Sequence, residues 1–224
     1  MLSHHNKIRV CRISASYDSE VYEKLFQFTN KDEIIYLMRY KKFVERFNSL
    51  LGLSLAKKLS SKGLSVQLSL LHTELGQPYL SGSNEHLSIS HSENTIVVAM
   101  SSNKVGIDVE KNILPIGYEL FLADDEYALF HKSKNKVDLL TTLWTLKEAY
   151  VKLTGMGFLK DPTNISFNKI KDRWFLKDNS CSFYSEDLPN GMKLAIASEK
   201  GKKITFEKIT ETELIEWFNS SIRY

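Results

Sequence analysis

The order in which hydrophobic periodicity changes along the chain constrains its fold more than any single motif. Helical spacing comes first and short alternating strands follow, and the sequence does this twice. A strand pattern at 7–14 leads into good helix formers from Asp18 through Leu59, where Phe43, Phe47, Leu50, Leu51 and Leu55 recur at steps that keep them on one helix face. Strand-like segments then occupy 65–71, 86–92, 94–102 and 104–111, with a tight turn around Ser92, Glu93 and Asn94. The second passage has helical spacing over 117–155, short strands at 164–170, 173–178, 181–187, 192–199 and 203–209, and a closing helix at 211–218. Runs of helices followed by runs of strands imply an α+β protein rather than an alternating parallel sheet. The expected architecture is two similar lobes, 1–103 and 104–224, each with helices packed on a mainly antiparallel sheet, and no repeat is visible at the level of residues. The stretch "VGIDVEK", Val105 to Lys111, falls at the boundary, a favoured place for ligand sites.

Composition removes several function classes. The 224 residues carry a net charge of only +3, whereas a nucleic-acid binder usually has a strongly basic domain. Basic charge is local: between Arg39 and Lys62 there are seven Lys and Arg residues against Glu45 alone, an expected anion-facing surface. Cys11 and Cys181 are far apart and show no metal-ligand spacing, so they are expected to be idle thiols. The amino terminus lacks a signal-peptide run and no apolar stretch reaches membrane-spanning length, which makes a cytoplasmic location, with no membrane partner, the expectation.

Chemistry concentrates in two stretches. Alternation across a strand puts Asp108 and Glu110 on one face, where they form either a solvated patch or a pair of hard oxygen donors for a divalent cation such as Mg²⁺. The second stretch is "WTLKEAYVKLTGMG", Trp144 to Gly157. At about 100° per residue, Leu139, Leu143, Leu146, Tyr150 and Leu153 form a core stripe, and Glu148 lies on the opposite side with Trp144, Val151 and Gly155. Glu148 is either an i,i+4 surface partner of Lys152 or a functional carboxylate, and Lys147 and Lys152 are either solubilising charges or catalytic cations. Ser90 and His91 end a strand in "ISHSEN"; as neighbours on opposite faces they cannot form a nucleophile–base pair, and they read as turn residues or as joint phosphate contacts. No GxGxxG or Walker pattern is present.

Taken in order, "GQPYL" (76–80), "LSISHS" (87–92), "VGIDVEK" (105–111) and "WTLKEAYVKLTGMG" (144–157) resemble the successive signatures of the Sfp-type 4′-phosphopantetheinyl transferases. The resemblance implies a pseudo-two-fold monomer that moves the phosphopantetheinyl arm of coenzyme A onto a serine of an apo acyl or peptidyl carrier protein, with Mg²⁺ required. By matching positions it implies Asp108, Glu110 and Glu148 as metal ligands, Glu148, Lys152 and Lys147 as catalytic or phosphate-supporting groups, and Ser90 and His91 as coenzyme contacts. Gln77 stands where the family commonly has Lys or Arg, and Asn48 or Ser49 where many members have a coenzyme-binding Arg. Arg46 and Lys42, with Arg39 and Lys41, are therefore expected to share phosphate binding. Two other classes remain open: a non-catalytic coenzyme A or carrier-binding module, and a Mg²⁺-dependent nucleotide phosphodiesterase.

Overall fold

A computed structural model describes residues 7–60, 68–155, 161–178, 180–199 and 202–221. It is a mixed α+β protein with helices packed against several sheets, and it divides into two compact units, Met1–Ser102 with Lys203–Tyr224, and Asn103–Lys202. Among the described residues no helix is long and apolar enough to cross a membrane.

The first unit is built on a four-stranded sheet. Strands β4 (His86–Ser92) and β5 (Thr95–Ser101) form a hairpin, and β5 pairs antiparallel with β1 (Lys7–Ser14). The outer neighbour of β1 is β11 (Lys203–Lys208), in parallel register from Lys7 opposite Lys203 to Arg12 opposite Lys208. Residues 203–224, placed with the second lobe on sequence order, therefore belong to the first unit. The physical reason is a non-local strand pairing, and the final helix α6 (Glu211–Ser221) follows it by burying Leu214 and Phe218 in the same core. Helices α1 (Ser19–Phe26) and α2 (Lys31–Leu37) precede the long α3 (Phe43–Leu59), which lies on β1, β4 and β5 with Phe47, Leu50, Leu51 and Leu55 buried as the spacing predicts. A small hairpin, β2 (Leu70–His72) and β3 (Pro78–Leu80), completes the unit; part of the strand expected at 65–71 lies outside the described residues. Cys11 is fully buried in this core, and burial pushes its thiol up to about 12, which fits an idle group.

The second unit has a three-stranded antiparallel sheet, β6 (Val105–Lys111), β10 (Met192–Ser198) and β9 (Ser182–Leu188), with β10 central. The helical pattern at 117–155 resolves into a short 3₁₀ turn, α4 (Asp124–Lys132) and α5 (Lys136–Thr154). Asn135 caps the start of α5 by accepting from the Asp138 amide, and Gly155 ends it at φ +70°, a left-handed conformation that costs glycine nothing. Helix α5 lies on β6 and β10 and buries Leu143, Leu146, Tyr150 and Leu153. Trp144 finds its cover inside the unit, edge-on to the Phe121 ring at 5.2 Å. A hairpin of β7 (Phe167–Ile170) and β8 (Arg173–Leu176) closes the unit.

Each unit contains the same buried ion pair, built the same way. In the first, Glu33 in the first turn of α2 caps the Asn30 amide at 2.9 Å and accepts from the Leu70 amide at 3.1 Å; Lys57 of α3 reaches it at 2.8 Å and donates to the Phe28 carbonyl at 3.3 Å. In the second, Glu126 in the first turn of α4 caps the Ala123 amide at 2.9 Å and accepts from the Phe167 amide at 2.9 Å; Lys147 of α5 reaches it at 2.6 Å and donates to the Phe121 carbonyl at 2.6 Å. Both pairs are almost wholly out of solvent. A buried charge is tolerated only when its hydrogen-bonding capacity is used, and here it is.

Candidate active site

The site begins with Gly106. A Cβ built at this position would lie 1.9 Å from the Ala149 carbonyl oxygen and 2.5 Å from the Leu153 nitrogen, so only glycine lets the backbone of α5 come this close to β6. The facing positions on β10 are also small: Ala197 stands opposite Gly106 and Ala195 opposite Asp108, both buried. The close approach brings the α5 side chains onto the strand's carboxylates.

Asp108 is 2% exposed and its Oδ1 accepts from Lys152 Nζ at 2.6 Å. Glu148, half-buried one turn earlier on α5, has its carboxyl pushed above the usual range, first by burial and then by the charge of Asp108, with Lys152 pulling the other way. Asp108 and Glu148 are thus close enough to repel, and the cation that partly relieves them is Lys152. Glu110 is half-buried two residues along β6, on the same strand face as Asp108, in register with Lys193 of β10. Lys193 is itself held by Asp138 of α5 and by Asp187 of β9. The sequence reading missed Gly106, Lys193 and Glu126. Alternation in "MKLAIAS" marks Lys193, Ala195 and Ala197 as one face, but only the strand register sets them opposite Glu110, Asp108 and Gly106.

Lys147 requires a correction. Expected as a phosphate-supporting cation, it is 1% exposed, and its ammonium is spent on Glu126 at 2.6 Å and on the carbonyls of Phe121 and Pro162 at 2.6 and 3.0 Å. An ammonium has three donors, so none is left for a ligand. The basic segment Arg39–Lys62 divides for the same reason: Lys57 is the buried partner of Glu33, Lys58 pairs with Glu207 at 2.5 Å, and Lys62 lies outside the described residues.

The remaining candidates sit in the first unit. Ser90 is buried and His91 exposed at the end of β4, in register with Val97 and Ile96. Gln77 lies in the β2–β3 hairpin, where its backbone N–H donates to Thr73 Oγ1 at 3.1 Å. Lys42, exposed at the start of α3, pairs with Glu45 at 3.5 Å. Arg46 is half-buried, with Nη1 3.9 Å from Met38 Sδ and a buried Nε that makes no hydrogen bond.

Among the described residues no group of three or more His, Cys, Asp or Glu side chains is gathered tightly enough to hold a metal ion. The donor chemistry nevertheless suits a hard cation: carboxylates on facing elements, with Asp108 near enough to raise the cost of ionising Glu148. A cavity of about 580 Å³ in the same unit is lined by Asp138, Trp174, Asp187 and Lys193, but by none of Asp108, Glu110 and Glu148; the Asp108–Lys152 contact lies outside that hollow.

Asp108 of the strand and Glu148 and Lys152 of the helix come together across the Gly106 contact. Residues 104–197, which contain all of these groups, match the profile of the 4′-phosphopantetheinyl transferase superfamily. The chain is 27% identical over 220 residues to the 4′-phosphopantetheinyl transferase gsp of Aneurinibacillus migulanus, covering 93% of this chain and 92% of that one. To the 4′-phosphopantetheinyl transferase Sfp of Bacillus subtilis it is 29% identical over 144 residues, 60% of this chain and 64% of the relative. The crystal structure of Thermotoga maritima holo-[acyl-carrier-protein] synthase overlaps 45% of this chain and 64% of its own at 23% identity, with a TM-score of 0.39, a likeness on which nothing here rests.

Proposed function

We infer that the protein is a 4′-phosphopantetheinyl transferase that takes coenzyme A as donor and an apo acyl or peptidyl carrier protein as acceptor. The observation that carries the reading is the α5–β6 contact, where Asp108, Glu148 and Lys152 meet inside the segment that matches the superfamily. In this reaction the carrier serine oxygen attacks the β-phosphorus of coenzyme A, the bond from that phosphorus to the bridging oxygen breaks, and adenosine 3′,5′-bisphosphate leaves. Charge grows on the leaving group and on the transferred phosphoryl oxygens, so most of the catalysis is positioning and electrostatics.

Asp108, Glu110 and Glu148 are the residues we propose to hold Mg²⁺. Bound there, the ion supplies positive charge to the pyrophosphate oxygens, which three carboxylates alone would repel. Lys152 is exposed enough, at 29% of its side chain, to exchange Asp108 for a phosphate oxygen. Glu148, whose basicity burial and Asp108 raise, accepts the serine proton directly or through a water it orients. Ser90, His91, Arg46, Lys42 and Gln77 are the proposed coenzyme contacts; Lys147 is not among the reacting groups.

The test is incubation with coenzyme A and Mg²⁺, with and without an apo carrier domain, read by mass spectrometry. Carrier modification with stoichiometric bisphosphate is expected, and Glu148→Gln should abolish it. Cleavage of coenzyme A without a carrier points to a phosphodiesterase, and binding without turnover to a non-catalytic module. Near-normal turnover by Glu148→Gln removes its assigned roles.

A further inference from the structure

The β4–β5 turn that follows Ser90 and His91 is held in a conformation its residues do not favour. Glu93, the first of its two residues, has φ +50°, in the left-handed region that suits glycine. Nearby, Tyr17 holds a second such conformation at φ +59°. The two are bonded to each other: the Tyr17 hydroxyl donates to the Glu93 carbonyl at 2.7 Å, and the Ala15 amide donates to the Asn94 carbonyl at 2.7 Å. From α3, Asn48, only 4% exposed, directs its Nδ2 at the same Glu93 carbonyl at 3.4 Å. The Tyr17 ring is fixed in turn, edge-on to Phe47 at 5.6 Å. Non-glycine residues stay left-handed only where surrounding bonds over-determine them, and they gather where geometry is functionally demanding. Two of the four among the described residues meet at this one carbonyl.

We propose that Tyr17 and Asn48 are positioning residues that clamp the β4–β5 turn through the Glu93 carbonyl, and so hold Ser90 and His91 where they contact the coenzyme phosphates. This rests on the transferase reading. It gives Asn48 a task that needs no charge: its amide is spent on the turn rather than on a phosphate. Register carries the effect, because Ser92 opposite Thr95 and His91 opposite Ile96 are the first ladder positions after the turn, and a turn free to change shape moves those positions first.

Tyr17→Phe tests the clamp, since it leaves the ring on Phe47 and deletes only the hydroxyl. The KM for coenzyme A should rise roughly five-fold, about what one hydrogen bond is worth, with kcat unchanged. In a His91→Ala background the same substitution should add clearly less, because part of the clamp's effect passes through His91. An unchanged KM in Tyr17→Phe, or the full penalty retained beside His91→Ala, overturns the proposal. The NMR resonances of the His91 ring give a readout that needs no turnover: they should shift in Tyr17→Phe, and if they do not the clamp is wrong. A wild-type protein that transfers nothing to any apo carrier removes the transferase reading instead, and the His91 resonances still decide whether the clamp exists.

Discussion

Replacing Gly106 by Ala sets a methyl group 1.9 Å from the Ala149 carbonyl oxygen and 2.5 Å from the Leu153 nitrogen. Both obstacles are backbone atoms of α5, so no rotamer change can absorb them. Opening the first contact from 1.9 Å to the 3.0 Å that real Cβ atoms keep requires α5 to back away from β6 by about 1.1 Å. Forcing an extra methyl into a close-packed contact costs ~1–3 kcal/mol, and the upper end applies where the neighbour is rigid. The chemical effect is larger. Glu148 and Lys152 ride on the same turns of α5, and the 2.6 Å Lys152–Asp108 bond would stretch by a comparable amount. A displacement near 1 Å at reacting groups lowers rate by ~100-fold. The expected outcome for Gly106→Ala is a folded protein with a melting temperature lowered by roughly 6–12 °C and a kcat for carrier modification lowered by ~100-fold. Thermal melts and mass-spectrometric transfer assays at saturating coenzyme A measure the two. Wild-type stability together with wild-type kcat would refute the claim that this glycine sets the helix–strand distance on which the site depends.

Two further substitutions separate structural from reacting groups. Lys147→Met leaves Glu126 buried without its cation and should cost ~3–5 kcal/mol of stability while the folded fraction keeps its turnover, whereas Lys152→Met, at a partly exposed pair, should lose turnover with a smaller loss of stability; the reverse pattern would restore Lys147 to the active site. In the first unit, burial and then the charge of Arg39 hold the His72 imidazole below its ordinary pKa while it stacks on Tyr36 at 4.4 Å. A depressed folded pKa means that stability is present above the unfolded value and is lost as pH falls. Wild-type melting temperature should therefore drop on acidification below about pH 6.5, and His72→Phe should flatten that part of the profile; an identical slope in both proteins would clear His72.

The placement of the second unit's candidate residues was readable because it is local. D-x-E alternation fixes one face of β6, and helical spacing fixes which side of α5 is core, so Asp108, Glu110, Glu148 and Lys152 could be named from periodicity and resemblance. What pairs with what was not readable. Strand β11 joins β1 across almost the whole length of the chain, and no local pattern distinguishes a strand that will pair with its neighbour from one that will cross to a distant partner. Gly106 illustrates a subtler limit: glycine in a strand announces a close approach, but not that the approaching backbone is α5.

The buried Lys–Glu pairs show why charge alone misled. On a helical wheel Lys57 and Lys147 look like ordinary surface cations. Each becomes buried because a glutamate at the start of the preceding helix accepts from the backbone of a strand with Oε1, while its Oε2 both caps its own N-terminus and takes the ammonium of the long helix. The glutamate supplies three attachments, to cap, strand and lysine, and the lysine supplies a fourth by donating to a carbonyl just before the cap. Such a pair gains little net stability over an apolar contact of the same size, because desolvation offsets most of the attraction. Its value is directional: hydrogen bonds fix the angle and height at which α3 and α5 meet the segments before them, which hydrophobic packing alone does weakly. In the second unit the lysine so anchored is the residue next to Glu148 on α5, and the pair itself touches none of the reacting groups. The internal repeat that the amino-acid sequence hides is thus expressed in hydrogen-bond wiring, where the same four attachments are kept in both units.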